Sequence, residues 1–185
     1  MIHDPDILDY LSGITPQSFA GEVFRATRKN LDPLTPSLSG GRWSVKGETA
    51  ALDTSLERDG ALAEITFHWS QLTPMPTKPA LIHRLGVTTK QTLRLLRADL
   101  GSLGVEMSHY EDVLYGQTAR IGAAVAFLDC DGLIVPCARW SCENLVLFND
   151  SLHPDGALTV IATEEVDWRA WGTNAQKPPA APQPR

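Results

Sequence analysis

The chain is organised around the stretch Ser39-Gly40-Gly41-Arg42-Trp43-Ser44-Val45-Lys46-Gly47. Two adjacent glycines give the backbone conformations that are closed to other residues and let it approach a ligand closely. The guanidinium of Arg42 is a planar fork of donors that suits phosphate or carboxylate oxygens, and the ring of Trp43 offers a flat surface for stacking. The same residues can form a tight turn whose arginine and tryptophan pack or face solvent. Both interpretations are open on local sequence, so the choice depends on the rest of the chain.

Length and composition describe one soluble domain. At 185 residues, with 43% hydrophobic and 21% charged residues, the chain is long enough to bury a core and has an ordinary globular composition. Its formal net charge is −6, and its lysines and arginines do not form a run. This charge argues against a nucleic-acid-binding surface and leaves room for a small basic pocket.

Cysteine usage and the N-terminus indicate a reducing compartment. Cys130, Cys137 and Cys142 form neither a Cys-x-x-Cys pair nor a disulfide framework, so we expect no zinc site. The first residues are acidic and lack a basic region followed by an apolar run, and no apolar stretch reaches membrane-spanning length. We therefore expect a cytoplasmic protein with no bound metal and no membrane association.

Hydrophobic periodicity predicts short strands with interspersed helices. In chain order it predicts a helix from Pro5 to near Gly13, strands over 21–27 and 49–54, a helix from near Leu56 after a Ser55 cap, strands over 80–85 and 92–96, a helix over 117–127, and strands over 133–136, 143–148 and 158–161. The segment 92–96 could also open a helix. Together these elements predict a mixed α+β domain with a curved or split sheet. From Thr173 onward the composition predicts a disordered tail.

Two charged residues lie at predicted buried faces. Arg25 shares a strand face with Val23 and Thr27, and an arginine on a core-side face needs a partner. Glu64 borders the apolar stripe of the helix that begins near Leu56, so packing can hold its side chain while its oxygens reach a cleft. The alternatives are a solvent-facing arginine and an exposed glutamate, and spacing alone favours the exposed glutamate. The stripe consists of Ala61, Ile65, Trp69 and Leu72.

An ordered set of motifs extends this pattern along most of the chain. Its members are Phe24-Arg25, Gly40-Gly41-Arg42-Trp43, Gly47, Ala61-Leu62-Ala63-Glu64, Gln117, Gly122, residues 131–139 and residues 144–148. In this order and spacing they resemble the RES domain, the toxin half of a bacterial toxin–antitoxin pair. The resemblance implies a compact relative of the ADP-ribosyltransferase fold whose members consume NAD+. Some of them cleave NAD+ with water or phosphate, and others transfer ADP-ribose to a protein.

The resemblance also implies domain limits and site residues. Residues 1–20 would form an N-terminal helical extension, residues 21–170 the NAD-binding domain, and residues 171–185 a disordered tail. The catalytic residues would be Arg42 and Glu64. The NAD-binding residues would be Arg25, Gly41, Arg42, Trp43, Leu52 and Cys137, with a structural role beneath the loop favoured for Trp43.

Cleavage of the nicotinamide–ribose bond accounts for these residue types. The bond breaks as positive charge builds on the ribose, much as in glycoside hydrolysis. Arg42 and Arg25 would bind the pyrophosphate with help from the glycine amides, and Glu64 would stabilise the transition state or take the proton of the acceptor. The sequence argues against a hydride-transfer enzyme because no Gly-x-Gly-x-x-Gly lies between a strand and a helix. Three histidines lack metal or triad spacing and are interpreted as incidental: His68, His83 and His109.

Two positions depart from the family pattern. Cys137 stands before Ala138-Arg139 where the family carries serine, and Leu52, or its neighbour Asp53, stands where relatives carry tyrosine. A thiol donates poorly to a ribose or phosphate oxygen, and leucine offers apolar contact to a ring without a hydrogen bond. These residues fit a member that reacts slowly, uses a protein acceptor or has lost activity. The alternative function is a non-catalytic module that keeps the antitoxin-binding surface.

The resemblance implies a partner encoded beside this chain. Antitoxins of the family combine a helix-turn-helix region with a segment that blocks the toxin's pocket. DNA contact would then come through the antitoxin, which agrees with the acidic charge of this chain. A protein acceptor of ADP-ribose and a homodimer within the complex are both compatible with this interpretation.

Overall fold

The computed structural model describes residues 3–148 and 156–175. The helices are α1 (Pro5–Ser12), α2 (Arg58–Ser70), α3 (Arg97–Ser102), α4 (Gly116–Phe127) and α5 (Trp168–Asn174), with a 3-10 turn at Met107–His109. The strands are β1 (Gln17–Thr27), β2 (Ala51–Ser55), β3 (Ala80–Arg94), β4 (Gly132–Pro136), β5 (Glu143–Phe148) and β6 (Ala157–Val166). This arrangement confirms the predicted α+β class.

The sheet is split into two halves that β3 joins. β3 pairs antiparallel with β1 over residues 81–92 and with β6 over residues 80–88. Its last residues, 92–94, pair in parallel with β4, which continues antiparallel to β5 and then to β2. β1 and β2 meet through a single register pair, Phe24 with Ser55. The split mixed sheet is therefore the predicted one, and its weak junction lies between β1 and β2.

Local signals explain the position of α1. The side chain of Asp4 accepts a hydrogen bond from the amide of Asp6 at 3.0 Å, and Pro5 occupies the first turn. Ile7 and Leu11 are buried in the largest core cluster. The predicted helix is thus confirmed, and its apolar face packs onto the domain.

The helical extension predicted for residues 1–20 is too long. β1 begins at Gln17, and Gln17, Phe19 and Ala20 already pair with β3. Pairing with a long partner strand overrides the weak local pattern of this segment.

β3 is one strand where the sequence predicts two. The residues between the predicted segments 80–85 and 92–96 continue the strand, because Gly86 to Thr89 pair with β1 and Gly86 to Thr88 also pair with β6. A central strand with partners on both sides tolerates a glycine and polar residues that weaken its local pattern.

α2 is shifted from its predicted position. It begins at Arg58 rather than near Leu56, because Ser55 is still the last residue of β2. Three residues of the predicted stripe are buried: Ala61, Ile65 and Trp69. Leu72 lies beyond the end of the helix and is 40% exposed, so it does not belong to the stripe.

The first residues of the tail predicted to be disordered are helical. Residues 171–174 belong to α5, whose first turn is capped by the Asp167 side chain through the amides of Arg169 and Ala170. Trp168 packs edge-on against Trp69 of α2 with ring centroids 5.5 Å apart. Residues 176–185 of the predicted tail lie outside the described residues.

Three apolar clusters hold these elements together. The largest joins α1, α3 and α4 to the half-sheet of β4 and β5, and the second lies where β1, β3 and β5 pack together. The third fastens α2 to the sheet and to α5 through Ile65, Trp69 and Trp168. Along the described residues, no helix has the length and apolar character needed to cross a membrane.

Candidate active site

A cleft of about 840 Å³ opens at the junction of β1 and β2. Its walls are the end of β1 with residues 28–31, the loop at residues 40–43, the end of β2, and the face of α2 that carries Glu64 and His68. The residues named below as lining it are Arg25, Gly41, Arg42, Trp43, Asp53, Glu64, His68, Tyr115 and Asn144. This volume lies in the usual range for ligand pockets, roughly 300–1,000 Å³.

Glu64 reaches the cleft from α2 and is held by β5 and its flanking segment. Its Oε1 accepts hydrogen bonds from Asn144 Nδ2 at 3.2 Å and from the thiol of Cys137 at 3.4 Å. Its Oε2 lies 3.8 Å from His68 Nε2, one helical turn further along α2. The Glu64 side chain is 27% exposed, so the carboxylate is oriented by neighbours and still open to a ligand.

Arg42 is tied to the segment between α3 and α4. Its Nη1 donates to the carbonyl oxygen of Tyr110 at 2.6 Å and its Nη2 to that of Asp112 at 3.2 Å. The guanidinium carbon also lies 5.0 Å from the ring centroid of Tyr110 and 4.7 Å from that of Tyr115. These contacts fix the guanidinium at the cleft wall and leave donors for an anionic ligand, since an arginine carries five.

Arg25 enters the cleft from β1. Its Nη2 donates to the carbonyl oxygen of Thr35 at 3.3 Å, and its Nη1 is buried without a hydrogen-bond partner among the described residues. Burial lowers the pKa of Arg25, and the nearby charges of Asp53 and Asp32 act in the opposite direction. An unpartnered guanidinium nitrogen at the wall of a cleft is a candidate donor to an anion.

Gly41 and Trp43 form the loop above the cleft floor. Trp43 is 2% exposed and packs in the core, so its ring supports the loop from beneath, although part of it borders the cleft. A Cβ on Gly122 of α4 would lie 2.7 Å from the carbonyl carbon of Trp43. The loop therefore rests directly on the backbone of α4, which explains why a glycine stands at position 122.

Leu52 and Cys137 do not line the cleft. Leu52 is buried in the cluster with Val23 and Leu145, because successive residues of a strand face opposite sides and Asp53 takes the cleft side. Cys137 is buried behind Glu64, whose carboxylate it contacts. Contact of Leu52 with a bound ring is thus not supported by its position, and Cys137 can act on a ligand only through Glu64.

Three residues of the cleft have no role assigned from the sequence patterns. His68, which its spacing marks as incidental, borders the cleft and faces Glu64; the separation of four residues on one helix is the signal that points to this contact. Burial lowers the pKa of His68, and the charge of Glu64 opposes this shift. Tyr115 carries no local signal that distinguishes it, whereas Asn144 opens the motif at residues 144–148 and has no role assigned to it there.

The cleft brings cationic and anionic side chains together. Arg25 and Arg42 can bind phosphate oxygens, while Glu64 and Asp53 can accept hydrogen bonds or stabilise positive charge. Within residues 3–148 and 156–175, no group of three or more histidine, cysteine, aspartate or glutamate side chains is placed to hold a metal ion. The side chains that line the cleft supply fixed charges, hydrogen-bond donors and proton acceptors.

Comparison with known proteins gives a family and a fold. Residues 22–170 match the model of the RES domain. No curated protein sequence matches this chain. Among solved structures, a chain from the crystal structure of the M. tuberculosis MbcT–MbcA toxin–antitoxin complex superposes with a TM-score of 0.77 and 15% identity, covering 92% of this chain and 97% of that one. At this identity the likeness concerns the fold.

Proposed function

This chain belongs to the RES-domain family, and we propose that it is an NAD+-consuming toxin of a toxin–antitoxin pair. The reaction is cleavage of the nicotinamide–ribose bond, with ADP-ribose passed to a protein or to water. The observation that carries this proposal is the convergence of Arg25, Arg42 and Glu64 from three separate elements on one cleft.

The cleft offers suitable groups for each part of NAD+. The pyrophosphate needs cationic donors, and Arg25 Nη1 is a buried donor without a partner in the described part of the chain. The amides of Gly40-Gly41 border the same space and can add donors to anionic oxygens. The reacting ribose needs a fixed carboxylate, and Glu64 is held through one oxygen by Asn144.

The proposed step breaks one bond and forms another. The electron pair of the nicotinamide–ribose bond goes to the ring nitrogen, so nicotinamide leaves as a neutral molecule. Positive charge builds on the ribose, and the carboxylate of Glu64 stabilises it in the transition state. A nucleophilic oxygen of water or of a protein side chain then bonds to the ribose carbon.

The acceptor oxygen must lose a proton in this step. Glu64 is placed to receive it, and His68 lies at 3.8 Å from the second oxygen of Glu64. The lowered pKa of His68 favours the neutral imidazole, which has a free ring nitrogen that can accept a proton. His68 therefore acts as a second proton acceptor at the mouth of the site.

The partner of this toxin is an antitoxin encoded beside it. The structural neighbour comes from a toxin–antitoxin complex, and its fold matches over nearly the whole chain. The antitoxin carries a helix-turn-helix region and covers the cleft, and DNA is contacted through it, in line with the net charge of −6. The complex acts in the cytoplasm.

A second candidate function is a non-catalytic module that keeps antitoxin binding. One observation favours it: Glu64 receives a weak thiol donor from Cys137 rather than a hydroxyl. A less firmly held carboxylate gives less transition-state stabilisation.

Incubation with NAD+ labelled in the adenylate part tests both candidates. The expected result is nicotinamide release by the wild-type protein and a loss of about 100-fold or more in Glu64→Gln, as for removal of a main electrostatic group. Glu48→Gln, at an exposed glutamate outside the cleft, is the matched control and should keep full turnover. Folded wild-type protein with no release above Glu64→Gln would leave only the non-catalytic module.

The same incubation shows whether a protein or water accepts the ADP-ribose. Label on a protein band indicates transfer to protein, and free ADP-ribose indicates hydrolysis. Growth arrest on expression of wild-type protein but not of Glu64→Gln, relieved by the product of the neighbouring gene, supports the toxin–antitoxin assignment. Growth unaffected by an active, NAD+-cleaving protein would contradict it.

A further inference from the structure

Asp53 is a carboxylate of the cleft with no partner of its own. It lies on β2, opposite Val146 of β5, and its side chain is open to the cleft. In the described part of the chain, neither of its oxygens accepts a hydrogen bond or forms an ion pair. A Cβ on Gly41 would lie 3.6 Å from Asp53 Oδ2, so the carboxylate sits directly beneath the glycine loop.

The surroundings disfavour the charged form of this side chain. Burial raises the pKa of Asp53, the charge of Arg25 opposes this, and the charge of Glu64 adds to it. Asp53 is accessible from the cleft, and the surrounding protein limits the solvation of its carboxylate. A carboxylate kept in such a place without a partner lowers stability, which is typical of residues that serve a ligand.

The chemistry of a carboxylate limits what Asp53 can bind. An ionised carboxylate only accepts hydrogen bonds, so the ligand group must be a donor. Pyrophosphate offers no donor, whereas a ribose offers two neighbouring hydroxyls. Arg25, proposed to bind the pyrophosphate, and Glu64, proposed to act on the reacting ribose, line the same cleft as Asp53. The nicotinamide ribose connects the pyrophosphate to the bond that breaks, so its hydroxyls are the donors of NAD+ that suit this position.

We infer that Asp53 binds the nicotinamide ribose of NAD+ by accepting a hydrogen bond from one of its hydroxyls. The inference rests on the proposed function and adds a second carboxylate to the site. Acidic residues hold ribose hydroxyls in the same manner in dinucleotide-binding α/β folds. The binding of the ribose then depends on the ionisation of Asp53.

Two ligands that do not react, ADP-ribose and ADP, distinguish ribose binding by Asp53 from a general effect of Asp53 on the site. ADP-ribose carries the second ribose, and ADP carries the pyrophosphate without it. Titration calorimetry with wild-type protein, Asp53→Ala and Asp53→Asn measures both affinities. In Asp53→Ala we expect the dissociation constant for ADP-ribose to rise by roughly 10-fold or more, the worth of a hydrogen bond to a charged group. The affinity for ADP should stay the same or increase, since a negative charge near the phosphates is removed.

The other possible results of the titrations either overturn or support the inference. Equal losses for ADP-ribose and ADP would make Asp53 a structural residue and overturn the inference, as would unchanged ADP-ribose binding in both variants. Selective loss of ADP-ribose binding, in a wild-type protein that does not cleave NAD+, would support the inference and contradict only the proposed cleavage. If folded wild-type protein binds neither ligand, the proposed NAD+ site is wrong and the inference falls with it.

Discussion

Gly122 of α4 packs against the main-chain carbonyl of Trp43, with no space for a side chain between them. A Cβ at position 122 would lie 2.7 Å from the carbonyl carbon and 3.0 Å from the Cα of Trp43, closer than real Cβ contacts allow. The adjacent Arg42 is thereby placed at the cleft wall. Because Gly122 has no side chain, α4 can lie directly against the proposed phosphate-binding loop and so sets the position of that loop.

Gly122→Ala should therefore destabilise the protein and displace the loop. We expect the free energy of unfolding to fall by about 1–3 kcal/mol, as for other overpacking changes, together with weaker binding of ADP. Urea denaturation and calorimetry measure the two effects. Gly101→Ala in α3 is the matched control, because a Cβ at position 101 would have no atom within 4 Å and the change should be neutral or stabilising. Equal stability of the two variants would refute the close packing.

Arg42→Lys should loosen the segment that follows α3. A lysine lacks the two separate guanidinium nitrogens that donate to the carbonyls of Tyr110 and Asp112, and its ammonium cannot stack on the tyrosine rings. We expect a loss of about 1–2 kcal/mol in unfolding free energy and faster hydrogen exchange at residues 107–115. Arg94→Lys, at an exposed ion pair with Glu143, should cost much less. Similar exchange in both variants would contradict the tethering role.

Cys137→Ser should raise turnover under the proposed function. The neighbouring thiol of Cys142, burial and the charge of Glu64 raise the pKa of Cys137, so its thiol stays protonated and its single proton is available to Glu64 Oε1, 3.4 Å away. A hydroxyl donates more strongly than a thiol and would hold the carboxylate more firmly. We expect nicotinamide release to increase about 3- to 10-fold, the kinetic equivalent of one improved hydrogen bond.

A buried cysteine elsewhere serves as the control for that change. Cys130 is buried near the end of α4, and Cys130→Ser should lower stability without raising turnover. If Cys137→Ser leaves turnover unchanged while the protein is folded, the donor to Glu64 does not limit the reaction.

Asp53→Asn should stabilise the protein at neutral pH. Because burial raises the pKa of Asp53 in the folded state, the ionised side chain destabilises the fold above that pKa. The penalty disappears as the pH falls through the raised pKa toward the unfolded value of about 4, since both states are then protonated. The gain of Asp53→Asn in melting temperature should therefore be larger at pH 8 than at pH 4.

Asp32 provides a control of opposite sign. The amide of Leu34 and the hydroxyl of Thr35 donate to its carboxylate and lower its pKa. Asp32→Asn should therefore destabilise the protein at pH 8, and the loss should shrink as the pH falls through the lowered pKa. A gain for Asp32→Asn, or a loss for Asp53→Asn at pH 8, would contradict these assignments.

The elements with strong local signals were predicted well. The Asp4 cap and first-turn proline located α1, and the run of apolar residues at 143–148 located β5 with its observed limits. The predictions for β1 and β3 were wrong where pairing with a distant segment decides the limits of the strand. β1 begins at Gln17 and β3 is continuous because the two strands pair along their lengths. Pairing energy from residues far along the chain is invisible to a local pattern.

The candidate site, like the fold, was predicted from the sequence only in part. The sequence by itself determined the residue types, namely a flexible glycine loop with an arginine, a second arginine on a strand, and a glutamate at the border of a helix stripe. The tertiary structure decided that Asp53 rather than Leu52 faces the cleft, that Cys137 stands behind Glu64, and that Arg42 is tied to carbonyls about 70 residues away. The reason is physical: side-chain chemistry and local periodicity are encoded along the chain, whereas the face of a strand that borders a cleft depends on which elements pack against it.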